Sequence, residues 1–243
     1  MVLLGVVAFV IALLIVFPAS WLRRALPAGA QCANWNGSLW RGQCNSLTLT
    51  IAGKPPVRID ALSWRLHPLA LLRARLQMDA RVSGAGAQAR GKVMLGRGNL
   101  LRVDELSASG PIDHNLLGAL PAGWHARMEA RAVTLELQGR TLRQLAGTLT
   151  ARELTDEHGM RLGDYQLQFA PQPAAPFTGT LRDLGGPIDL AAKLTIQTNR
   201  AWTLDGAATL RPGSPPQLAR MLDQLNTADL SGRRRILLEG VVN

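Results

Sequence analysis

Two cysteines, Cys32 and Cys44, are the only thiols in the 243-residue chain, and the segment that joins them reads CANWNGSLWRGQC. Thiols at this spacing could serve a metal, a redox reaction or a covalent staple. Two cysteines cannot complete a structural zinc site alone, and the histidines, His67, His114, His125 and His158, stand isolated, with no His-x3-His or Cys-x2-Cys spacing. The close Cys-x-x-Cys spacing of redox-catalytic pairs is also missing. Whether the pair is a staple or two free buried thiols depends on the side of a membrane on which it sits.

Other catalytic chemistry finds few candidates. Asp104-Glu105 and Asp156-Glu157-His158 are the acidic clusters, and the second, followed by Gly159, reads as a hairpin tip. There is no Gly-x-Ser-x-Gly elbow and no phosphate loop. Gly84-x-Gly86 and Gly96-x-Gly98 lie in strand-and-turn sequence without a following helix, so they read as turns or bulges. The expectation is a protein that is not an enzyme, with no catalytic, metal or cofactor residues.

The chain is basic, with 27 Lys and Arg against 17 Asp and Glu, a net charge of +10. Such a balance fits nucleic acid, anionic lipid, or an Arg-favouring genome. The densest run is Arg233-Arg234-Arg235, and the other arginines are mostly scattered singly. Aromatics are sparse and do not interleave with basic runs as a stacking platform requires. No nucleic-acid partner is expected.

The elements that would position these residues begin with Met1 to Phe17, an uncharged apolar run. Extended through Leu22 it approaches the ~20 residues a hydrocarbon core requires, so residues 1–22 read as a transmembrane helix. Trp21, Arg23 and Arg24 would then be its membrane-interface anchors, opening a juxtamembrane segment, 23–35. A cleavable signal ending at Ala28-Gly29-Ala30 is the rival, but that site lies well beyond the apolar run, with two arginines between. An uncleaved anchor is the preferred reading. No Lys or Arg precedes it, so the charge rule alone argues for a cytoplasmic C-terminal part.

From residue 36 to 243 the sequence is β-rich. Alternation of period two marks Ser46–Ile51, Val57–Leu66, Arg127–Leu137, Asp164–Phe169, Leu190–Thr198 and Trp202–Leu210 as half-buried strands. Gly and Pro punctuate at 53–56, 84–91, 171–176, 185–187 and 211–216. The fold class expected is mainly β: an antiparallel, curved sheet with a few short helices. Those helices are Pro68–Arg73, with Pro at its first position, His114–Leu120, and Pro216–Leu225, where Leu218, Met221, Leu222 and Leu225 share a face. A strand over Arg235–Val242 closes a C-terminal helix-and-strand segment, 215–243. Gly-x-Leu openings at 37, 147 and 179 and strands closing on Pro68 and Pro171 hint at two related halves, 36–112 and 128–213. Shared strand-and-turn grammar would account for them equally.

Phe17-Pro18-Ala19-Ser20-Trp21, Gly37-Ser38-Leu39-Trp40-Arg41-Gly42 and Ser63-Trp64-Arg65-Leu66-His67-Pro68, with Leu71-Leu72 behind, occur in that order, and Leu162-Gly163-Asp164-Tyr165 is a later, weaker match. In order and spacing the chain resembles the protein N family of the bacterial type II secretion system. Gly37, Leu39, Trp40, Gly42, Trp64 and Pro68 are the family-like motif residues. The resemblance implies a single-pass inner-membrane protein with its C-terminal domain in the periplasm, an accessory structural part of the machine that exports folded proteins across the outer membrane. It implies other type II secretion inner-membrane proteins and the outer-membrane secretin as partners. It disagrees with the charge rule on orientation. In an oxidising periplasm Cys32 and Cys44 are expected to form a structural disulfide, with the hairpin turn supplied by Asn34-Trp35-Asn36-Gly37. A second function reading is a periplasmic lipid-binding or lipid-transfer module, its curved amphipathic sheet holding acyl chains.

Overall fold

The computed structural model describes residues 18–24, 29–50, 56–113, 123–172, 174–223 and 229–241. The chain divides into two compact units, residues 1–97 and 98–243. The boundary therefore falls inside the expected first half.

In the first unit five strands follow one another: β1 (Ala30–Gly37), β2 (Arg41–Leu49), β3 (Val57–Leu66), β4 (Leu76–Gly84) and β5 (Ala87–Gly96). Each pairs antiparallel with the next. One helical turn, α1 (Pro68–Leu71), joins β3 to β4. The second unit holds β6 (Leu100–Asp113), β7 (His125–Gln138), β8 (Thr141–Thr155), β9 (Arg161–Phe169), β10 (Phe177–Gly185), β11 (Ile188–Ile196), β12 (Ala201–Leu210), α2 (Pro216–Asp223) and β13 (Arg234–Val241). Its neighbouring strands are likewise antiparallel.

In the first unit, side-chain alternation reverses part-way along the strands. Ser46 stands at φ 59°. The ladder skips it on both sides: Cys32 pairs with Leu47 and Asn34 with Asn45, while Leu47 pairs with Ile59 and Asn45 with Ala61. Along β2 the buried positions accordingly run Gly42, Cys44, then Leu47, changing parity at the left-handed residue. Such a residue inverts which side of the pleat the next side chain occupies. One core thus collects Cys44, Leu47 and Trp64 with Cys32, Trp35, Ile59 and Leu62.

The second unit has long strands with left-handed residues at Glu105, Ala132 and Glu153, and the register shifts around them. Bulges of this kind bend a strand and raise its twist. The core packs Leu162, Ile188 and Ala208 of the sheet under Leu218 and Leu222 of α2.

Val57–Leu66 forms a strand over the bounds expected, and the expected Arg127–Leu137, Asp164–Phe169 and Trp202–Leu210 lie within β7, β9 and β12, whereas the strand expected over Leu190–Thr198 is β11, Ile188–Ile196, and ends two residues earlier. Several expectations need correction. Residues 87–91, read as punctuation, belong to β5, and the turn is confined to Ala85 and Gly86. Asn34–Gly37 lies in β1, and the turn follows at Ser38–Trp40. Gly147 and Gly179, read as strand openings, sit inside β8 and β10. Both are places of close approach: a Cβ on Gly179 would lie 2.8 Å from the Phe169 ring, and one on Gly147 2.6 Å from Val133 Cα. The expected helix His114–Leu120 and most of the Gly53–Pro56 turn lie outside the described residues, as does the expected span over residues 1–17. Residues 18–22 do not continue an apolar α-helix. Pro18 forms a bridge with Ser38, and Ala19–Arg24 is a 3-10 helix packed on β1 and β2. No helix among the described residues is long and apolar enough to cross a membrane.

Candidate functional site: a stapled tryptophan cluster

The motif residues of the first unit meet at one end of it. The β1–β2 hairpin turns at Ser38, whose backbone N–H donates to Arg41 O at 2.9 Å and whose hydroxyl accepts from Arg41 N at 3.2 Å. Gly37 enters that turn at φ 87°, a conformation open to glycine, and pairs with Gly42. Trp64 of β3 lies opposite Gly42. Its indole covers that glycine so closely that a Cβ would stand 2.8 Å from Trp64 Cε2. The same indole donates Nε1–H to Leu39 O at 2.9 Å, and Leu66 N donates to Trp40 O at 2.7 Å. Leu39 and Trp40 thus act through their carbonyls, which tie the turn to the end of β3. Trp35 meets Trp64 edge-on, with ring centroids 5.9 Å apart and planes at 72°.

Cys32 and Cys44 are joined by a disulfide across β1 and β2, with Cα atoms 6.0 Å apart. The two are not directly opposite: Cys32 faces Leu47 and Cys44 faces Trp35. The reversal at Ser46 puts both on the core side, and Cys44 is almost fully buried. Ala19, at 1 % exposure, seals the same core. Of the expected interface residues, Arg23 is exposed, and Trp21, Arg23 and Arg24 lie in the 3-10 segment along the sheet rather than on a continuous helix. Pro68 is the first residue of α1, where its missing N–H costs nothing.

The Leu162–Tyr165 phrase builds a second cluster in the other unit. Asp164 accepts from Glu153 N at 2.8 Å, holding the bulge of β8. The Tyr165 hydroxyl donates to Leu162 O at 2.8 Å. Burial, with the nearby Asp183 charge, pushes the Tyr165 phenol up to about 12. Asp183 receives Arg211 Nη2 at 2.6 Å, and Arg211 also reaches Gly186 O at 2.8 Å. Burial alone would raise the Asp183 carboxyl, but Arg211 and the Leu190 N–H outweigh it and hold the group below its ordinary range.

Several of the polar groups singled out above, among the described residues, are taken up in turns and ion pairs; His114 lies outside the described residues. Asp156 accepts from His158 N at 2.9 Å and Met160 N at 2.8 Å, so it builds the hairpin tip. His67 lies 3.0 Å from Asp79. Arg234 turns inward to Asp223 at 2.6 Å and Arg235 reaches Asp205 at 3.3 Å, so two of the three residues in the basic run serve structural pairs. Among the described residues no group of three or more His, Cys, Asp and Glu is placed to hold a metal ion. The Trp64–Gly42 contact, the sealing role of Ala19, and the equivalent cover of Gly240 by Trp202 escaped sequence reading. Each needs a known register, and the scattered Gly and Trp residues were their one visible trace.

The family model described as type II secretion system (T2SS), protein N, matches residues 28–237. The chain belongs to the type II secretion system protein N family. The match takes in strands of both units, β1 through the first half of β13. No curated protein and no solved structure matches the chain. Membership makes this an accessory component of type II secretion. The residues this member uses at its stapled end are structural: they fix a hairpin, a glycine-backed tryptophan and the entry of the N-terminal segment.

Proposed function

We propose that this protein N family member is held in the inner membrane by its N-terminal apolar run, with its β domain in the periplasm. There it binds other type II secretion proteins, the secretin among them, by strand addition or surface docking during export of folded proteins. The observation that carries the reading is the family match over residues 28–237. The Cys32–Cys44 disulfide supports the periplasmic side, because such a bond persists in an oxidising compartment. Arg23 and Arg24 weigh against it by the charge rule. Against the alternative lipid-transfer reading stands α2. Its Leu218 and Leu222 cover the apolar patch of Leu162, Ile188 and Ala208 that an acyl chain would need in the second unit.

The test is a pair of reporters fused after Asn243, one active in the periplasm and one in the cytoplasm. Periplasmic activity is expected. Cytoplasmic activity would overturn both the orientation and the physiological disulfide. Purified protein should also retain defined secretion proteins and carry no stoichiometric phospholipid; the reverse pattern would favour lipid transfer.

A further inference from the structure

Among the described residues of the first unit, the most exposed apolar group is the turn that carries α1. Leu69 is 76 % exposed, Leu71 44 % and Leu72 84 %. Arg73 and Arg75 follow, both exposed, and no acidic residue occurs from His67 to Gln77. The turn is not slack. Ala70 N donates to His67 O at 3.1 Å, Ala74 N to Leu71 O at 2.9 Å and Arg75 N to Ala70 O at 3.1 Å, with Ala74 left-handed at φ 51°. This is a one-turn helix closed by a Schellman cap, and alanine pays for the left-handed position that glycine would take freely. Its hydrogen bonds fix the turn on which the three exposed leucines stand.

The position of this turn matters as much as its composition. Leu66 N bonds to Trp40 O in the β1–β2 turn, and Ser38 of that same turn bridges Pro18. The leucine turn therefore stands at the end of the unit where the chain leaves the apolar run Met1–Phe17. A bilayer entered by that run would lie against this end. Exposed leucines rimmed by arginines match the two layers such a surface offers, acyl chains below and phosphates above.

We propose that Leu69, Leu71 and Leu72 insert into an anionic phospholipid surface while Arg73 and Arg75 bind its headgroup phosphates. The contact gives the first unit a second hold on the membrane and sets its tilt relative to the N-terminal run. It rests on the inner-membrane placement proposed above.

The test uses the full chain reconstituted in vesicles of phosphatidylethanolamine and phosphatidylglycerol, and in phosphatidylcholine vesicles. A spin label is carried on a non-cysteine handle at position 72, or at Gln88 as a control. Gln88 is exposed beside the β4–β5 turn, at the opposite end of β4 from α1 and about 30 Å along the strand. Oxygen and a water-soluble nickel complex then compete to relax the label. The expected result is a lipid-buried label at 72 in the anionic vesicles and a wet label at 88. R73Q/R75Q should reduce the buried fraction relative to the wet one about fivefold per arginine removed. A wet label at 72 in anionic vesicles would overturn the proposal, as would burial that is equal in phosphatidylcholine, or burial that requires an added secretion protein. Alkaline extraction of the same vesicles separates the two failures. A chain that washes off refutes the membrane placement itself, whereas a retained chain with a wet position 72 refutes the leucine contact alone.

Discussion

Gly42 shows how a neighbour can dictate a residue: the Trp64 ring occupies the space its Cβ would need. Gly42→Ala should therefore destabilise by about 1–3 kcal/mol, as overpacking does. Denaturant unfolding would measure it, and a neutral substitution would mean that the ring can slide. Tyr165 is the chain's single tyrosine, so its ionisation can be followed by absorbance without overlap from another phenol. Its ordinary value of 10.0 is raised to about 12. The stabilisation from keeping this phenol neutral is therefore complete below pH 10 and fades as pH rises through 12. A titration midpoint near 10 would show an exposed hydroxyl. At this scale the sequence displayed the glycines, tryptophans and Leu162–Tyr165 as distinct phrases. What each touches depends on cross-strand register, which a single chain of letters does not carry.

At the scale of elements, the β1–β2 hairpin combines a covalent bond with a polar turn. In the chain-entropy account a loop of about 13 residues closed by a disulfide contributes on the order of 3 kcal/mol. Replacing both cysteines, Cys32→Ser with Cys44→Ser, should lower the unfolding free energy by that order. A loss near zero would mean that the Trp64–Leu39 hydrogen bond and the Ala19 seal hold the hairpin unaided. The Asp183–Arg211 pair ties β10 to the segment after β12. Asp183 is held below its ordinary 3.8, so its contribution is present above that pH and is lost as the solution is acidified through the lower folded value. Asp183→Asn should reduce stability at pH 7 and flatten the acid loss below about pH 4; an unaltered acid limb would reject the pair as its source. Strand existence was legible here because half-buried strands must alternate. The strands that escaped include β1, polar on much of its length, and β6, where left-handed Glu105 breaks the period.

For the whole molecule, each unit is a meander in which strands pair with their sequence neighbours. Stability in such an arrangement is approximately a sum of local interfaces, as in repeat proteins. Removing the disulfide should thus raise amide exchange in β1–β3 and leave β10–β12 nearly unchanged. Equal acceleration in all strands would instead reveal one cooperative body. The sequence by itself determined the β-rich class, the apolar N-terminal run and the family, because these follow from composition, period and motif order. Tertiary structure alone decided that Cys32 and Cys44 share a face, that Ala19 belongs to a core, and that the leucine turn stands beside the exit of the apolar run. The reason is physical: one left-handed residue at Ser46 reverses every following side chain, and hydrogen bonds between turns bring together residues that are far apart in the chain.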